Sequence, residues 1–198
     1  MSPDRSDETL SMSVMRPDDP VGTVTIGVAV AIPPPYSDEL QEWRAKFGDP
    51  FAHAIPPHVT LLPPTPVLES RLDDVCDHLQ LAASSHRPFE MTLRGTGSFQ
   101  PVSPVVFVQV AAGISECEQV ERQVRSGLLS RDLAFYYHPH VTVAHDLDEE
   151  ALDRAFAELA DYEASFAVEG FSLYRHGADG VWRVENVFTF DGSAGVPA

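Results

Sequence analysis

Positive charge is scarce in this 198-residue sequence, which has 13 lysines and arginines against 30 aspartates and glutamates. The formal net charge is therefore −17 at pH 7. A chain this acidic repels polyanions, which excludes a long groove that binds nucleic acid along its length. A small anion site stays open, in which backbone N–H groups, hydroxyls and protonated histidines surround one phosphate. A phosphate ligand should then be a small molecule or the end of a chain.

Cysteines and long apolar segments are also scarce. The two cysteines, Cys76 and Cys117, each lie in a segment with helical spacing, which favours reduced packing residues, although a bond between them stays open. The longest apolar stretch, residues 21–32, is too short to cross a bilayer and runs into three prolines. Residues 1–20 lack the cationic and apolar segments of a signal peptide. We therefore expect a cytoplasmic protein that does not contact a membrane.

The hydrophobic pattern predicts an α+β protein made of two similar halves. Strand patterns alternate with helical spacing in the order β-α-β-α-β, and this order begins again near residue 105. Predicted strands cover residues 22–32, 58–62, 88–99, 105–112, 140–145, 165–174 and 181–190, and predicted helices cover residues 36–47, 67–84, 114–131 and 148–161, the first with Ser37 as its N-cap. We expect one domain at residues 21–191, with halves at about 22–99 and 104–190 and tails at residues 1–20 and 192–198.

The second strand of each half carries the same short motif. Residues 57–61 read ProHisValThrLeu, and residues 139–143 read ProHisValThrVal, an offset of 82 positions. The same offset relates the apolar strand around Val28 to the one around Val110. A single His-x-Thr arises easily by chance, but two copies with matching neighbours between two helices indicate a duplication.

Strand geometry places the polar residues of each motif together. His58 and Thr60 are two positions apart, as are His140 and Thr142, so each pair points to one face of its strand. The valines and leucines between and after them point to the opposite face, which packs. If the two halves close about a pseudo-twofold axis, these four side chains converge on one cleft.

Two histidines that face each other across a pocket suit acid-base chemistry. The pKa of a free imidazole lies near neutrality, so one ring can remove a proton while the other delivers one. The paired threonine hydroxyls can donate to the nonbridging oxygens of a phosphate held between the rings. This arrangement favours a metal-free phosphodiester site over the alternative, in which the histidines are hydrogen-bonded strand residues at an interface between lobes.

Three histidines in the segment HPHVTVAH, residues 138–145, raise the alternative of a metal centre. Such a centre requires His138, His140 and His145, with or without His53, to converge on one ion at about 2 Å. His145 is five positions from His140 and points to the opposite face of a straight strand. This difference in orientation argues against a metal site. It also predicts that His145 does not share the face of His140 and Thr142 unless the strand bends.

The two motifs, PHVTLL at residues 57–62 and PHVTVAH at residues 139–145, resemble those of the two-histidine (2H) phosphoesterase superfamily. That superfamily includes the bacterial 2′-5′ RNA ligase-like proteins and 2′,3′-cyclic phosphodiesterases. The resemblance covers about residues 22–190. It implies a bilobal α+β fold in which two antiparallel sheets face a central cleft.

The resemblance also implies roles for individual residues. His58 and His140 would be the catalytic acid and base, in an order that the sequence does not give, and Thr60 and Thr142 would bind phosphate. No metal or cofactor would take part, and the substrate would be a 2′,3′-cyclic phosphate or a 2′-5′ linkage. Two other readings stay open: a noncatalytic module that binds nucleotides or RNA ends, and a 2′-5′ RNA ligase.

One departure from the family pattern concerns His145. RNA ligase-like members usually have arginine here, in the pattern His-x-Thr-Leu-Ala-Arg, whereas this chain reads HisValThrValAlaHis. A histidine is charged only part of the time and lacks the bidentate donors of arginine. We therefore expect His145 to influence substrate binding and to favour a small cyclic nucleotide over a large RNA.

A few other side chains are candidates for contacts with a nucleotide. Tyr137 and Phe99 lie close to the motifs in the sequence and offer rings on which a base can stack. Arg94 and Arg175 are cationic candidates on flanking strands, although ion pairs with the abundant acids are their more common role. We expect a monomer with a small cyclic nucleotide or an RNA terminus as its ligand.

Overall fold

The structure, a computed structural model, describes residues 20–133 and 135–192. The predicted tails lie outside these ranges, apart from Pro20 and Gly192. In chain order the elements are β1 (Thr23–Ala31), α1 (Tyr36–Phe47), β2 (His58–Leu68), α2 (Leu72–Ser84), β3 (Phe89–Ser98), β4 (Val105–Ala112), α3 (Ile114–Val124), β5 (His140–His145), α4 (Glu149–Glu158), β6 (Glu163–Val168), β7 (Gly170–His176) and β8 (Trp182–Thr189).

The strands form two antiparallel four-stranded sheets, with the orders β2-β1-β7-β8 and β5-β4-β3-β6. The edge strands that carry the motifs, β2 and β5, contact each other between the two sheets. The predicted α+β architecture is thereby confirmed. The halves also exchange strands, since β3 pairs with β4 and β7 pairs with β1. Each sheet is therefore built from both halves of the chain.

The single strand predicted at residues 165–174 is wrong, because the chain divides there into β6 and β7. β6 joins the β5-containing sheet and β7 joins the β2-containing sheet. Alternating apolar residues continue through both strands, so periodicity alone does not reveal the break. Gly170 marks it, because a Cβ at this position would lie 2.0 Å from the carbonyl oxygen of Phe188.

Several element ends differ from the predicted ones for local reasons. β2 continues through its prolines to Leu68, because it is an edge strand and edge strands tolerate residues without an N–H. α3 ends at Val124, before Gly127 with φ of 54° and a short 3₁₀ turn. The N-cap of α1 is Pro35, so the prediction of Ser37 as the cap is wrong, and Ser37 lies in the first turn.

The main apolar core lies between the helices and one face of each sheet. Along β1, Ile26, Val28 and Val30 are buried in this core. The residues between them are small and lie on the opposite side, which we call the cleft face. No helix in the described ranges is long and apolar enough to cross a membrane.

Candidate active site

The first motif presents its polar side chains on the cleft face. His58 pairs with Ala31 of β1, and Thr60 pairs with Ala29. Directly paired residues of an antiparallel sheet point to the same side, and these alanines are on the side away from the main core, where Ala29 packs in a small second cluster with Tyr174 and Trp182. His58 and Thr60 are both partly buried, whereas Val59 between them is fully buried on the core side.

The second motif is placed in the same way. His140 pairs with Gln109 of β4, and Thr142 pairs with Phe107. The intervening Val141 is fully buried on the core side. Because β2 and β5 contact each other, the two His-x-Thr pairs lie on strands that are in contact. Within the described residues, no hydrogen bond forms at the hydroxyl of Thr60 or Thr142, so both are available to a ligand.

A β-bulge at Val143 overturns the parity prediction for His145. Thr142 pairs with Phe107, but Ala144 pairs with the adjacent Val106, so Val143 is an extra residue in β5. His145 then pairs with Val105 and lies on the same face as Thr142 and His140. The bulge therefore turns His145 to the cleft face. Its Nε2 atom lies 3.3 Å from Oδ2 of Asp146, whose backbone has a φ of 53°.

Both motif histidines are held by the same backbone contact. Nδ1 of His58 lies 2.8 Å from the carbonyl oxygen of Pro56, and Nδ1 of His140 lies 2.7 Å from that of His138. A carbonyl oxygen can only accept, so Nδ1 carries the proton in both rings. The Nε2 atoms are thus left to exchange protons with a ligand. Two rings in the same tautomer, held from the same side, suit paired acid-base chemistry.

Burial disfavours the charged form of both rings. It lowers the pKa of His58, an effect that the hydrogen bond to Pro56 opposes and the nearby Arg44 cation reinforces. Burial also lowers the pKa of His140, to about 4, against the hydrogen bond from its ring to the His138 carbonyl. Charge on His138 or on His58 would lower it further. The two motif histidines are therefore electrostatically coupled across the cleft.

The pKa of His140 leads to a prediction about stability. Between pH 6.5 and pH 4 the unfolded chain binds a proton at His140 that the folded protein excludes, so stability falls as the pH falls through this range. We expect this histidine to contribute about 1 kcal/mol of lost stability between pH 7 and pH 5.5. Urea unfolding at the two pH values measures it. The His140→Gln variant should show a smaller loss, and equal losses in the two proteins would contradict the prediction.

A buried arginine orders the loop that leads to His58. The side chains of Arg44 and Asp49 form an ion pair at 2.9 Å, and both are almost fully buried. Arg44 also donates hydrogen bonds to the carbonyl oxygens of Ile55, at 2.7 Å, and Phe51, at 3.2 Å. Arg44 therefore fixes the backbone just before the first motif. Sequence reasoning missed it, because a lone arginine near the end of an amphipathic helix is usually solvent-exposed.

Two phenylalanine rings, those of Phe99 and Phe107, pack against the ring of His140. The ring of Phe99 is perpendicular to that of His140, with 5.0 Å between centroids, and it lies 4.4 Å from the ring of Phe107. Phe107 also contacts His138, at 5.4 Å. Phe99 is therefore a direct neighbour of His140, and His138 belongs to the same aromatic cluster. Phe107 was not predicted, because it lies in an apolar run that reads as a fully buried strand.

The absence of a side chain at Gly97 leaves space for the ring of Phe107, and a substitution there tests the importance of this ring. A Cβ at position 97 would lie 2.6 Å from the ring of Phe107. The Gly97→Ala variant should displace Phe107, disturb His140 and lower the kcat of any histidine-dependent reaction by about tenfold. Adding Phe107→Leu removes the clash and should restore part of the loss. No change in kcat on Gly97→Ala would show that the position of Phe107 is unimportant.

Tyr137, which the sequence predicts as a ligand contact, is packed against other side chains of the protein. Its ring packs against the main core, and its buried hydroxyl has no hydrogen-bond partner among the described residues. Burial raises the pKa of this hydroxyl, and nearby Cys117 and Glu121 act in the same direction. Of the two cationic candidates, Arg175 is ion-paired with Glu69, as expected for an acidic protein.

The histidines of HPHVTVAH do not converge as metal ligands. Within residues 20–133 and 135–192, no group of three or more histidine, cysteine, aspartate or glutamate side chains is arranged to hold a metal ion. His140 uses Nδ1 for a backbone hydrogen bond, and His145 lies at the far end of β5 next to Asp146. The side chains of this segment instead contact aromatic rings and the cleft.

Proteins of known name and structure resemble this chain over most of its length. Two Bacillus cereus proteins, each named "Putative phosphoesterase" and one from strain B4264, are 25% identical to it over 167 residues, covering 82% of this chain and 95% of theirs. The crystal structure of E. coli LigT complexed with 3′-AMP has a TM-score of 0.63 at 20% identity and covers 85% of this chain and 98% of that one. The protein TT0787 of Thermus thermophilus has a TM-score of 0.57 at 24% identity, covering 84% and 97%.

The family assignment follows from a match to a protein-family model. Residues 32–180 match the model described as the 2′-5′ RNA ligase superfamily, a range that contains both His-x-Thr motifs and the strands on either side of them. The resemblance drawn from the two motifs is confirmed by this match and by the shared fold. The chain therefore belongs to the 2′-5′ RNA ligase superfamily and is a two-histidine phosphoesterase.

Proposed function

We propose that this protein is a metal-independent phosphodiesterase that opens 2′,3′-cyclic phosphates. The observation that carries the proposal is the matched geometry of the two motifs. Each holds a histidine by Nδ1, leaves Nε2 free and places a threonine hydroxyl two positions further along the same face. Bond cleavage at phosphorus needs a base on one side and an acid on the other, and two such motifs supply both.

In the proposed reaction, Thr60 and Thr142 donate hydrogen bonds to the nonbridging oxygens of the cyclic phosphate. One neutral histidine takes a proton from water through Nε2 as the water oxygen attacks phosphorus. The bond from phosphorus to one ribose oxygen breaks, and the other histidine, as imidazolium, protonates that oxygen. The product is a phosphate monoester. Exchange of protons with solvent then restores the starting charge of the two rings.

The lowered pKa values fit this cycle once a phosphate is present. A bound anion between the rings stabilises an imidazolium, so it raises the pKa of both His58 and His140 above their values in the free protein. Coupling between the two rings disfavours two imidazolium ions together. A single bound negative charge therefore supports one protonated and one neutral histidine, which is the combination that the reaction requires.

Similar proteins support a small nucleotide as the ligand. Crystal structures of E. coli LigT contain 3′-AMP or phosphate, and this chain shares their fold. The two cysteines are free thiols, as suits the reducing cytoplasm that we propose as the location. Phe99 is partly exposed beside His140, and we propose that its ring contacts the nucleoside.

The test is hydrolysis of 2′,3′-cyclic AMP in EDTA, followed by chromatography of the product. We expect turnover that EDTA does not reduce. A noncatalytic module of the same fold would bind the nucleotide without releasing product. A 2′-5′ RNA ligase or phosphodiesterase would instead act on a 2′-5′-linked dinucleotide supplied in parallel. Activity that disappears in EDTA and returns with zinc would contradict the metal-independent mechanism.

A further inference from the structure

Four strands, which we call the cleft strands, contain no permanently charged side chain: the motif strands β2 and β5, and β1 and β4, which pair with them. β1, β2, β4 and β5 read TVTIGVAVA, HVTLLPPTPVL, VVFVQVAA and HVTVAH, without a lysine, arginine, aspartate or glutamate. Their only ionisable side chains are His58, His140 and His145. A ligand on this face therefore meets hydroxyls, imidazoles and aromatic rings, and the only positive charge that these strands can supply is that of a protonated histidine.

Arginines and lysines near the cleft strands do not supply the fixed positive charge that these strands lack. Arg44 affects the pKa of His58, but it is buried and its charge is compensated by Asp49. Arg94 on β3 is exposed and lies directly across from Glu163 on β6. Six other cations in the described ranges have carboxylate partners: Lys46, Arg71, Arg125, Arg154, Arg175 and Arg183. Arg131 contacts β2 without such a partner, but it donates to the carbonyl oxygen of Pro64 and the hydroxyl of Thr65, towards the end of β2 that is opposite to His58.

We infer that the cleft selects a phosphodiester with a single negative charge and no second phosphate group. The chemical class is a cyclic nucleoside monophosphate, in preference to a 5′-phosphorylated nucleotide or a longer RNA terminus. The inference rests on the proposed function and narrows its substrate. One negative charge is matched by one imidazolium and the threonine donors. Each further phosphate would meet no fixed cation on these strands and would enter the field of a protein with a net charge of −17.

The same charge pattern favours release of the product. Ring opening converts a monoanionic diester into a monoester, whose second ionisation has a pKa of about 6. Near pH 7.5 the product therefore carries nearly one more negative charge than the substrate. A cleft without fixed cations holds this dianion less well than the substrate, so product inhibition should be weak.

The test compares adenosine 2′,3′-cyclic phosphate with its 5′-phosphorylated form. At about 0.02 M NaCl the 5′-phosphorylated form should have a kcat/KM at least about tenfold lower, and the gap should narrow at about 0.3 M NaCl as the charges are screened. An equal or higher kcat/KM for the 5′-phosphorylated form at low salt would overturn the inference.

Variants separate a local charge effect from one of net charge. His145→Arg places a fixed cation on the cleft face and should raise the relative kcat/KM of the 5′-phosphorylated form by about fivefold. Glu116→Gln on the exposed side of α3 changes the net charge by the same amount and should have little effect. An equal gain from both variants would show that only the overall charge matters, which would overturn a preference built into the cleft.

Calorimetric binding of both nucleotides to the His58→Ala variant separates failure of the inference from failure of the proposed function. If neither nucleotide is hydrolysed by the wild-type protein but the singly charged one binds more tightly, the proposed function fails and the charge preference stands. If the singly charged nucleotide does not bind, the preference is overturned as well.

Discussion

Replacing either His58 or His140 with alanine should lower kcat for opening 2′,3′-cyclic AMP by about 10³-fold, since each ring supplies one of two proton transfers. Nε2 of each histidine is free for this role because Nδ1 is bound to a backbone carbonyl. Substrate binding should weaken less than kcat falls, because the threonines and the other ring remain. Initial rates measured in EDTA over a range of substrate concentrations separate the two effects.

Controls for these variants come from the same chain. His53 lies in the loop before the first motif and is exposed, so His53→Ala tests the loss of an imidazole near the site without loss of a motif residue. The double variant His58→Ala, His140→Ala should be little slower than either single variant, because the two histidines act in one step. Full activity in either single variant would exclude paired-histidine catalysis.

We also expect a large loss of kcat when the hydroxyl of Thr60 or Thr142 is removed. Thr142→Val keeps the size and β-branched shape of the side chain but removes the hydroxyl, so the strand should remain intact. Loss of one hydrogen-bond donor to the transition state typically costs about 10²-fold in kcat. We expect a loss of this size from Thr142→Val and, by the pseudo-twofold relation, from Thr60→Val.

The serine variants provide the matched control for this experiment. Thr142→Ser and Thr60→Ser restore the donor and should retain activity within about tenfold of the wild-type protein. Urea unfolding of all four variants checks that the valine substitutions do not destabilise the sheet. Equal activity of the valine and serine variants would show that the hydroxyls do not contact the reacting phosphate.

The sequence predicts the duplicated frame and the motif positions well. Both depend on local patterns: alternating apolar residues define the strands, and a proline before each His-x-Thr marks where the strand begins. The bounds of β4 and β5 match their predicted ranges. That His58 shares a face of its strand with Thr60, and His140 with Thr142, also follows from strand parity, which holds as long as no residue is inserted within the motif.

The features that were missed depend on contacts between distant residues. The bulge at Val143 is defined by pairing with β4, and it moves His145 to the other face. The registers of β1 and β4 also differ: Ala29 lies opposite Thr60, but Phe107 lies opposite Thr142, so the 82-residue offset of the motifs does not hold for the preceding strands. No local pattern identifies either feature.

Packing against neighbouring elements explains two further features that the sequence does not reveal. Arg44 is buried because Asp49 and two loop carbonyls satisfy its guanidinium, which cannot be read from its position in α1. Tyr137 precedes the second motif but packs into the core, so closeness in sequence is a poor guide to which side chains face the cleft.

Paired-histidine, metal-free catalysis is tested most directly by ³¹P NMR of 2′,3′-cyclic AMP incubated with the protein in EDTA, beside the His140→Ala variant. We expect the cyclic phosphate signal to be replaced by that of a phosphate monoester with the wild-type protein and to persist with the variant. An unchanged cyclic phosphate signal with the wild-type protein, under conditions in which calorimetry shows binding, would contradict this mechanism.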